Sequence, residues 1–416
     1  MKFIFTLAAI CISICTATFA TPLADSTVST LVNVHQGNGA GLATRTVIDT
    51  FLLPHDLSGY ASIEMHVLLN CPTGGCDPWD RFASIRVWHD NEWYEIGRYM
   101  TPYGKSCGWT IDVSDYRSLL KDTVIINSFI DTWTNPGWLV NIDFKFIAGI
   151  PVNPFIKIEN LWNDYNVVYG DSTQPLNVPT INKVIDGAAT GVKIKLVNTG
   201  HGQGNTDNAA EFSQKTHHIN VNGIQAYSQW LWRTNCASNP CSPQAGTWQY
   251  SRAGWCPGAD VIPAEYDIMA MVTPGISVAL DYELQSYFNN CSPHNPACIN
   301  GSTCNDCNYN NNGHTEPHYK IASQLITYLS TPTGITKTHN SGISLFPNPS
   351  NGNIKISFQE FHDCTFEVYS LMGMLVYETA LSRNGELHEL SFLPKGIYIA
   401  RVKSDYASWS ERIIIE

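Results

Sequence analysis

Two carboxylates and an arginine follow directly after a short cysteine loop, and together they could carry out acid–base chemistry. Cys71 and Cys76 enclose Pro-Thr-Gly-Gly, and Asp77, Asp80 and Arg81 come next. Two cysteines at this spacing suit a tight disulfide loop, which would hold a catalytic acid rigidly. The alternative is structural, with Asp77 capping the turn and Asp80 paired with one of the arginines that follow it.

A second candidate acid, Glu211, follows a glycine-rich stretch. Residues 200–204 read Gly-His-Gly-Gln-Gly, and Glu211 stands among Ala209, Ala210 and Phe212. Small and apolar neighbours would desolvate the carboxylate and favour its neutral form, so that it could donate or share a proton. The glycines are not a dinucleotide fingerprint, because no βαβ pattern surrounds them. The alternative for Glu211 is a capping or salt-bridge role.

A third segment combines aromatic rings, an arginine and two cysteines. It contains Trp248, Arg252 and Trp255, and a disulfide between Cys236 and Cys256 is expected to close it. Tryptophan faces stack on sugars, and arginine hydrogen-bonds hydroxyl and carbonyl oxygens. The alternative is a tryptophan packed beneath a loop.

The elements that must position these side chains are β-strands. Apolar and polar residues alternate over 140–146 and 192–196, the pattern of half-buried strands. Short strands separated by turn-forming residues recur to the end, and no long stretch carries a helical stripe. The sequence therefore predicts an all-β chain of sandwiches or jelly rolls.

Breaks in the strand pattern divide the chain into domains. A Gly-Ile-Pro-Val-Asn-Pro break at 149–154 separates two large blocks, and a polar segment with turn formers precedes a small strand-rich one. The predicted boundaries are 26–148 for the first block, 152–330 for the second, 331–342 for the linker and 343–416 for the last block.

The start of the chain and its cysteines indicate export. Residues 1–20 combine a basic start, an apolar run and a small-residue exit, the pattern of a removable signal peptide. Of the 13 cysteines, ten lie between Cys71 and Cys307, an even number that favours a disulfide framework in an oxidising compartment. Cys304 and Cys307 have the spacing of half a zinc site, but disulfides are the favoured interpretation there.

Composition excludes two broad classes of protein. Hydrophobic residues make up 44% of the chain and aromatic residues 11%, which excludes a chain that is disordered throughout. The net charge is −12, from 24 basic and 36 acidic residues. A phosphate backbone would be repelled by that field, so nucleic acid is not an expected partner.

Motifs in the last block resemble a known address tag. They read Leu-Phe-Pro-Asn-Pro-Ser-Asn-Gly at 345–352, Leu-Met-Gly at 371–373, Leu-Pro-Lys-Gly-Ile-Tyr at 393–398 and Arg-Ile-Ile-Ile at 412–415. In order and spacing they resemble the C-terminal sorting domain of the type IX secretion system of Bacteroidetes. The resemblance implies a small β-sandwich, export through the secretion machinery, and a secreted or surface-attached protein. A cell-wall or sugar-binding β-module is the alternative.

Four upstream segments resemble a second family. They are Cys-Pro-x-x-x-Cys-Asp-x-Trp-Asp-Arg at 71–81, Trp-Tyr-Glu-Ile-Gly-Arg at 93–98 with Thr-Pro-Tyr at 101–103, Ile-Asp-Val with Asp-Tyr-Arg-Ser-Leu-Leu at 111–120, and Ser-Arg-Ala-Gly-Trp-Cys-Pro-Gly at 251–258. They are similar to the peptide-N-glycosidase F family, which deglycosylates Asn-linked glycoproteins. The resemblance covers both large blocks, and it implies two side-by-side jelly-roll sandwiches with the site between them.

The resemblance also implies a role for each matching residue. Asp80 is the principal acid, Glu211 the second, and Asp131 the third, within Asp-Thr-Trp where the family has Glu-Thr-Trp. Arg81 and Arg252 would position the substrate and stabilise the developing oxyanion. The remaining substrate-binding candidates are Trp79, Trp133, Trp255 and His201.

The implied reaction is hydrolysis of the amide between an Asn side chain and the first N-acetylglucosamine. An amide is a poor electrophile, so it needs an activated water and a protonated leaving nitrogen. Asp80 would activate the water, or bind the first sugar while polarising it, and Glu211 would hold or relay a proton. The products are an Asp-containing peptide and a glycosylamine. No metal or other cofactor is expected, and a monomer is expected to act on N-linked glycoproteins or glycopeptides.

Three departures from the family pattern bear on glycan preference and rate. Ala209 and Ser213 stand where the family has cysteines, so Glu211 lacks a local disulfide. Asp131 is one methylene shorter than the family's Glu. Thr199 stands where the family has Trp, which would remove a sugar-stacking ring.

Two other functions remain open. A non-catalytic, glycan-binding surface protein of the same fold would bind sugars without releasing them. A copper-dependent hydroxylating monooxygenase shares the double jelly-roll layout, and His217, His218, His314 and His318 suggest ligands. That interpretation is disfavoured, because the histidines of the first block are scattered.

Overall fold

The chain is all-β, as the sequence predicts. The computed structural model describes residues 24–39, 45–298, 307, 315–330, 344–357, 364–370, 374–381, 385–403 and 408–416. The predicted signal segment 1–20 and linker 331–342 lie outside these residues. The described parts contain 24 strands and four three-residue 3-10 helices, and none of those helices is long and apolar enough to cross a membrane. The chain forms two compact units, Met1–Pro332 and Thr333–Glu416.

The first sandwich packs two antiparallel sheets around one core. Its strands are β1 (Ser26–Gln36), β2 (Thr46–Leu52), β3 (Tyr60–Asn70), β4 (Phe82–His89), β5 (Glu92–Met100), β6 (Cys107–Asp112), β7 (Thr123–Ile130) and β8 (Trp138–Ala148), with a 3-10 helix at Ser114–Tyr116. One sheet has the order β1-β8-β3-β6, and the other contains β5-β4-β7-β2. The alternation predicted at 140–146 is confirmed in β8, whose Val140, Ile142, Phe144 and Phe146 are fully buried.

The second sandwich repeats this arrangement. Its strands are β9 (Ile156–Val168), β10 (Ile181–Val184), β11 (Ala189–Gln203), β12 (Lys215–Val221), β13 (Ile224–Leu231), β14 (Ala259–Asp260), β15 (Ala264–Asp267), β16 (Ser277–Glu283) and β17 (Thr315–Leu329), with 3-10 helices at Thr206–Asn208, Cys236–Ser238 and Met269–Met271. Its sheets have the orders β10-β16-β12-β13 and β15-β11-β17-β9. In β11 the polar residue Lys195 is buried, because its ammonium pairs with Asp115 of the first sandwich at 2.9 Å.

The two sandwiches are joined by hydrogen bonds, by the ion pair between Lys195 and Asp115, and by a disulfide. The short strand β14 pairs with β5 and so extends a sheet of the first sandwich. Arg98 is 1% exposed and pairs with Glu95 at 2.7 Å. Its Nη1 donates across the interface to Thr199 Oγ1 at 3.0 Å and to the Lys320 carbonyl at 2.6 Å. Because these donors and acceptors are buried and matched, they define how the sandwiches sit against each other.

Four disulfides lie in the described residues. They join Cys71 to Cys76, Cys107 to Cys241, Cys236 to Cys256 and Cys291 to Cys307. The first and third are the pairs expected from the sequence. The second, for which the sequence indicated no partner, links the two sandwiches. The fourth occupies Cys307, so the zinc interpretation of that cysteine is wrong; Cys304 lies outside the described residues.

The C-terminal unit is a small two-sheet structure of its own. Its strands are β18 (Ser344–Phe346), β19 (Asn353–Ser357), β20 (Cys364–Ser370), β21 (Leu375–Leu381), β22 (Glu386–Glu389), β23 (Gly396–Lys403) and β24 (Ser408–Ile415). The sheet orders are β18-β19-β22 and β21-β20-β23-β24. Asn348 of the Pro-Asn-Pro motif donates to the Arg412 carbonyl at 2.6 Å and accepts from the Ile414 amide at 3.0 Å. The predicted motif 371–373 lies outside the described residues.

The Cys107–Cys241 disulfide is expected to stabilise the chain more than the Cys71–Cys76 disulfide. Their sequence separations are 134 and 5 residues, and the loop entropy removed from the unfolded chain grows with that separation. Replacing both cysteines by serine should lower the free energy of unfolding by about 5 kcal/mol for the Cys107–Cys241 pair and by about 2 kcal/mol for the Cys71–Cys76 pair. Guanidinium unfolding of both variants tests this; equal losses would contradict it.

Candidate active site

The two candidate acids from separate blocks meet at one arginine. Arg252 Nε donates to Glu211 Oε1 at 3.0 Å, and Arg252 Nη2 lies 3.8 Å from Asp80 Oδ2. The arginine is 1% exposed, and each carboxylate side chain is 16% exposed. Two acids and one cation therefore form a nearly enclosed group, named here the Asp80–Arg252–Glu211 cluster.

The loop that presents Asp80 is ordered by the carboxylate of Asp77. That side chain is fully buried, and it accepts hydrogen bonds from the Trp79 amide at 3.0 Å, Arg81 Nε at 2.7 Å and the Thr132 hydroxyl at 2.6 Å. Asp77 thus caps the turn, as the structural alternative proposed. Arg81 pairs with Asp77 rather than with Asp80, which leaves Asp80 free to face Arg252.

Backbone contacts hold Glu211, which has no cysteine on either side. The Glu211 amide donates to the Gly202 carbonyl at 3.2 Å, and the Glu211 carbonyl accepts from the Ala253 amide at 2.9 Å. Gly200 makes this close approach possible, because a Cβ there would lie 2.6 Å from the Ala210 oxygen. The 209–213 segment is therefore fixed between the end of β11 and the segment that carries Arg252.

Arg252 is held by protein on every side. Its Nη1 donates to the Tyr250 carbonyl at 2.9 Å and its Nη2 to the Thr247 carbonyl at 3.1 Å. Its Cζ lies 5.1 Å from the Phe212 ring and 4.9 Å from the Trp255 ring. The guanidinium thus packs against two aromatic rings and acts on the site mainly through the two carboxylates.

Trp255 is not a sugar platform. It is 3% exposed, and its Nε1 donates to the Gly200 carbonyl at 2.8 Å. Its ring stacks on His201 at 5.5 Å, and His201 stacks in turn on His318 at 5.4 Å. Trp255, expected from the sequence to bind substrate, is covered by Arg252 and His201 and forms the wall behind the cluster.

His201 belongs to the same wall. Burial lowers the pKa of its imidazole well below the usual value, so the ring is neutral, and its Nε2 lies 2.9 Å from Thr199 Oγ1. Thr199 itself is fully buried. In this chain the side chain at 199 faces the interior.

Trp79 and Trp133 are the exposed aromatic candidates. They are 57% and 60% exposed, and Trp79 directly precedes Asp80. The guanidinium of Arg45 lies 4.0 Å from the Trp133 ring centroid, and its Nη1 is 2.8 Å from Asp131 Oδ1. Asp131 therefore orders Arg45 against Trp133, and both tryptophan rings are open to a ligand.

The sequence interpretation assigned no role to Tyr103, which the structure places against Asp80. Its hydroxyl donates to Asp80 Oδ2 at 2.9 Å and lies 3.2 Å from Thr247 Oγ1, and the residue is 7% exposed. The Thr-Pro-Tyr motif marked this tyrosine as part of the family pattern. Its contact with Asp80 spans 23 residues, and no local spacing rule would have indicated it.

Burial of two carboxylates beside one guanidinium alters their proton affinities. Burial raises the pKa of Asp80, against the opposing charge of Arg252 and the hydrogen bond from Tyr103. Burial also raises the pKa of Glu211, to about 7, which Arg252 opposes and Asp80 reinforces. Near neutral pH the cluster therefore holds a proton that Glu211 can donate.

An open cleft of about 500 Å³ lies beside the cluster. Three of its lining residues, Phe212, Thr247 and Tyr250, also contact Arg252. A substrate in this cleft would lie next to the charged groups. The remaining lining residues are Gln203, Asn208, Trp232 and Ser251.

The histidines suggested as copper ligands do not converge. His217 is fully buried, and its ring lies edge-on to Tyr319 at 5.0 Å, whereas the next residue, His218, contacts Ser228. His318 stacks on His201, and His314 lies outside the described residues. The copper interpretation therefore has no support from the described histidines.

Comparisons with known proteins agree with these observations. Family models match at 89–146 (peptide-N-glycosidase F, N terminal), 165–305 (peptide-N-glycosidase F, C terminal) and 344–416 (secretion system C-terminal sorting domain). Peptide-N(4)-(N-acetyl-beta-D-glucosaminyl)asparagine amidase F of Elizabethkingia miricola is 30% identical over 286 residues, which cover 64% of this chain and 80% of that protein.

Solved structures show the same similarity. PNGase F, described as a glycosylasparaginase from Flavobacterium meningosepticum, has a TM-score of 0.65 at 26% identity, and the match covers 74% of this chain and 97% of that one. PNGF-II has a TM-score of 0.54 at 13% identity over 73% of this chain and 66% of that one. The second similarity concerns the fold alone.

The raised pKa of Glu211 predicts a stability cost that grows with pH. Between the ordinary value of 4.5 and about 7, the unfolded chain releases this proton and the folded chain keeps it, so stability falls as pH rises. Glu211→Gln removes the titration. The variant should gain up to about 3 kcal/mol relative to the parent between pH 4.5 and 7.5.

Urea unfolding of both proteins at several pH values measures this difference. Values well below pH 4.5, where Glu211 is protonated in both the folded and the unfolded chain, serve as the reference. A constant difference across the whole range would show that folding does not shift the pKa of Glu211.

Proposed function

Because the chain belongs to the peptide-N-glycosidase F family, we propose that it is a peptide-N4-(N-acetyl-β-glucosaminyl)asparagine amidase. It hydrolyses the Asn side-chain amide that links an N-glycan to protein, and it leaves Asp in the peptide and a glycosylamine. The observation that carries the proposal is the Asp80–Arg252–Glu211 cluster, in which the two sandwiches together supply two carboxylates and one guanidinium. The matched sorting domain indicates a secreted or cell-surface protein.

Asp80 and Glu211 take different roles because their surroundings differ. Burial raises the pKa of Asp80, but the charge of Arg252 and the Tyr103 hydrogen bond oppose that shift and favour the ionised form, so Asp80 activates the water. Glu211, whose pKa is raised to about 7, holds the proton that the leaving nitrogen needs. Such a pair supplies both the base and the acid for amide cleavage at neutral pH.

Arg252 keeps these roles separate. Its charge lies between the carboxylates, so negative charge that develops near Asp80 during water attack is stabilised without movement of protein groups. Its burial and its bonds to the Thr247 and Tyr250 carbonyls prevent reorganisation. Arg81, with its Nε bound to Asp77, orders the loop that presents Asp80.

The exposed tryptophans supply sugar contacts at the edge of the site. Trp79 and Trp133 offer open faces, and a pyranose ring presents C–H groups that pack on such faces. Asp131 acts through Arg45, which lies over Trp133. In this proposal Asp131 positions a binding ring, and its shorter side chain fits that role.

A non-catalytic glycan-binding protein is the alternative. It would need the exposed tryptophans but not a proton-holding pair of buried carboxylates. Burying two acids beside a single arginine costs free energy, and a protein that only bound glycans would gain nothing from that cost. The cluster therefore favours hydrolysis over binding alone.

Replacing Asp80 by Asn should reduce hydrolysis by several orders of magnitude. The variant keeps the side-chain shape but cannot activate water, and loss of a positioned base lowers kcat/KM by about 10²–10⁴-fold. The assay incubates a denatured N-glycoprotein with the protein and reads, by peptide mass, conversion of each glycosylated Asn to Asp. Asp49→Asn, a change at an exposed position of β2, is the matched control. Bound but uncleaved glycans with the parent protein would favour the alternative.

Replacing Tyr103 by Phe should shift the pH profile. Loss of its hydrogen bond to Asp80 destabilises the ionised carboxylate, so the acidic limb of kcat/KM moves to higher pH. A hydrogen bond to a charged group contributes about 1.5–3 kcal/mol, which corresponds to a loss of roughly 10–100-fold near the acidic limb. Tyr227→Phe, which removes a hydroxyl from the surface of β13, should leave the profile unchanged. A uniform loss at all pH values would indicate a structural role instead.

A further inference from the structure

A second cleft lies at the far end of β4 from the candidate active site. It has a volume of about 530 Å³ and is formed where β4 and β5 of the first sandwich meet β9 of the second. Six strand steps separate Phe82, close to Asp80, from Trp88 in this cleft, a distance of about 20 Å. The cleft is therefore separate from the Asp80–Arg252–Glu211 cluster.

Two tryptophans form an angled wall of this cleft. Trp88 and Trp93 are opposite each other on β4 and β5, with ring centroids 5.0 Å apart and planes at 59°. Trp88 is 36% exposed. Two rings at this angle make an apolar corner into which the C–H face of a pyranose can pack.

The polar groups of the cleft have unused hydrogen-bonding capacity. Arg86 Nε and Asn160 Oδ1 have no hydrogen-bond partner among the described residues, although both atoms are buried. Arg86 Nη2 reaches Asn127 Oδ1 only at 3.4 Å. A sugar hydroxyl both donates and accepts, so one or two hydroxyls in the cleft would satisfy the donor and the acceptor after small side-chain rotations.

The charges of the cleft favour a neutral ligand. Glu92 and Asp164 line it together with Arg86, so one cation faces two carboxylates. A sialic or uronic acid would bring a further negative charge to these groups and be repelled. A neutral hexose has the size, the apolar face and the hydroxyls that the cleft can accommodate.

We propose that this cleft is a second, non-catalytic carbohydrate-binding site for a neutral pyranose. Trp88 and Trp93 stack on the sugar ring, and Arg86 and Asn160 bind its hydroxyls. The proposal does not depend on the amidase activity, because it uses none of the residues of the cluster. Together with the proposed function, it gives the protein a means of holding a glycan while another glycan of the same protein is cleaved.

The test observes the tryptophan indoles directly. The full chain carrying Asp80→Asn is labelled with ¹⁵N-tryptophan, and the Trp88 and Trp93 signals are assigned from Trp88→Phe and Trp93→Phe. Methyl α-mannopyranoside, methyl β-galactopyranoside and methyl β-N-acetylglucosaminide are titrated separately. At least one should shift both signals saturably, with a Kd on the order of 1–10 mM, as expected for a single sugar ring.

Two alanine variants make the assignment specific. Trp88→Ala should weaken the response of the Trp93 signal by at least about tenfold, as expected for loss of one stacking ring. Trp230→Ala removes an exposed ring elsewhere, 56% exposed on β13, and should bind as the parent does. In a protein that keeps Asp80, the Trp88→Ala variant should still deglycosylate a short glycopeptide at the parental rate.

The outcomes separate this proposal from the proposed function. If none of the three glycosides shifts the Trp88 and Trp93 signals, or if Trp88→Ala binds as the parent does, the second site is overturned. If only the Trp79 and Trp133 signals respond, sugar binding is confined to the edge of the candidate active site, which overturns this proposal and leaves the amidase proposal intact. Sugar binding at Trp88 without any Asn-to-Asp conversion would support the second site and contradict the amidase.

Discussion

The buried guanidinium of Arg252 is the interaction on which the site depends. A charge that is 1% exposed must be paired, and its partners, Asp80 and Glu211, come from different sandwiches. The same pairing places two carboxylates beside one cation, so the cluster retains a proton when solvent is near neutral. Structural pairing and acid–base function are therefore one arrangement, and a change that breaks the first also removes the second.

This arrangement requires two sandwiches that cannot shift against each other. A displacement of one strand step, about 3.3 Å, would separate Asp80 from Arg252. The interface prevents it with three kinds of restraint: backbone pairing of β14 with β5, the buried Arg98 contacts to Thr199 and Lys320, and the Cys107–Cys241 disulfide. Each crosses between the sandwiches, so the cluster is positioned by long-range contacts.

Local sequence patterns predicted the features of the structure that depend on neighbouring residues. The alternation in β8 identified its core face, and the small neighbours of Glu211 indicated a desolvated acid. Long-range packing decided the rest. Composition could not distinguish a buried Trp255 from an exposed Trp79, because both stand among similar residues. The contact between Tyr103 and Asp80, and the partner of Cys107 at Cys241, join distant segments, and only the fold brings them together.

The departures from the family pattern make physical sense in the fold. Thr199 is fully buried and bonds both Arg98 of the interface and His201 of the wall behind Trp255. Trp255 in turn packs on Arg252. Thr199 therefore connects the interface to the cluster. Likewise Glu211, without flanking cysteines, is held by backbone bonds to Gly202 and Ala253. In this chain the charged groups therefore meet with Thr at 199 and without cysteines beside Glu211, and the support comes from buried hydrogen bonds.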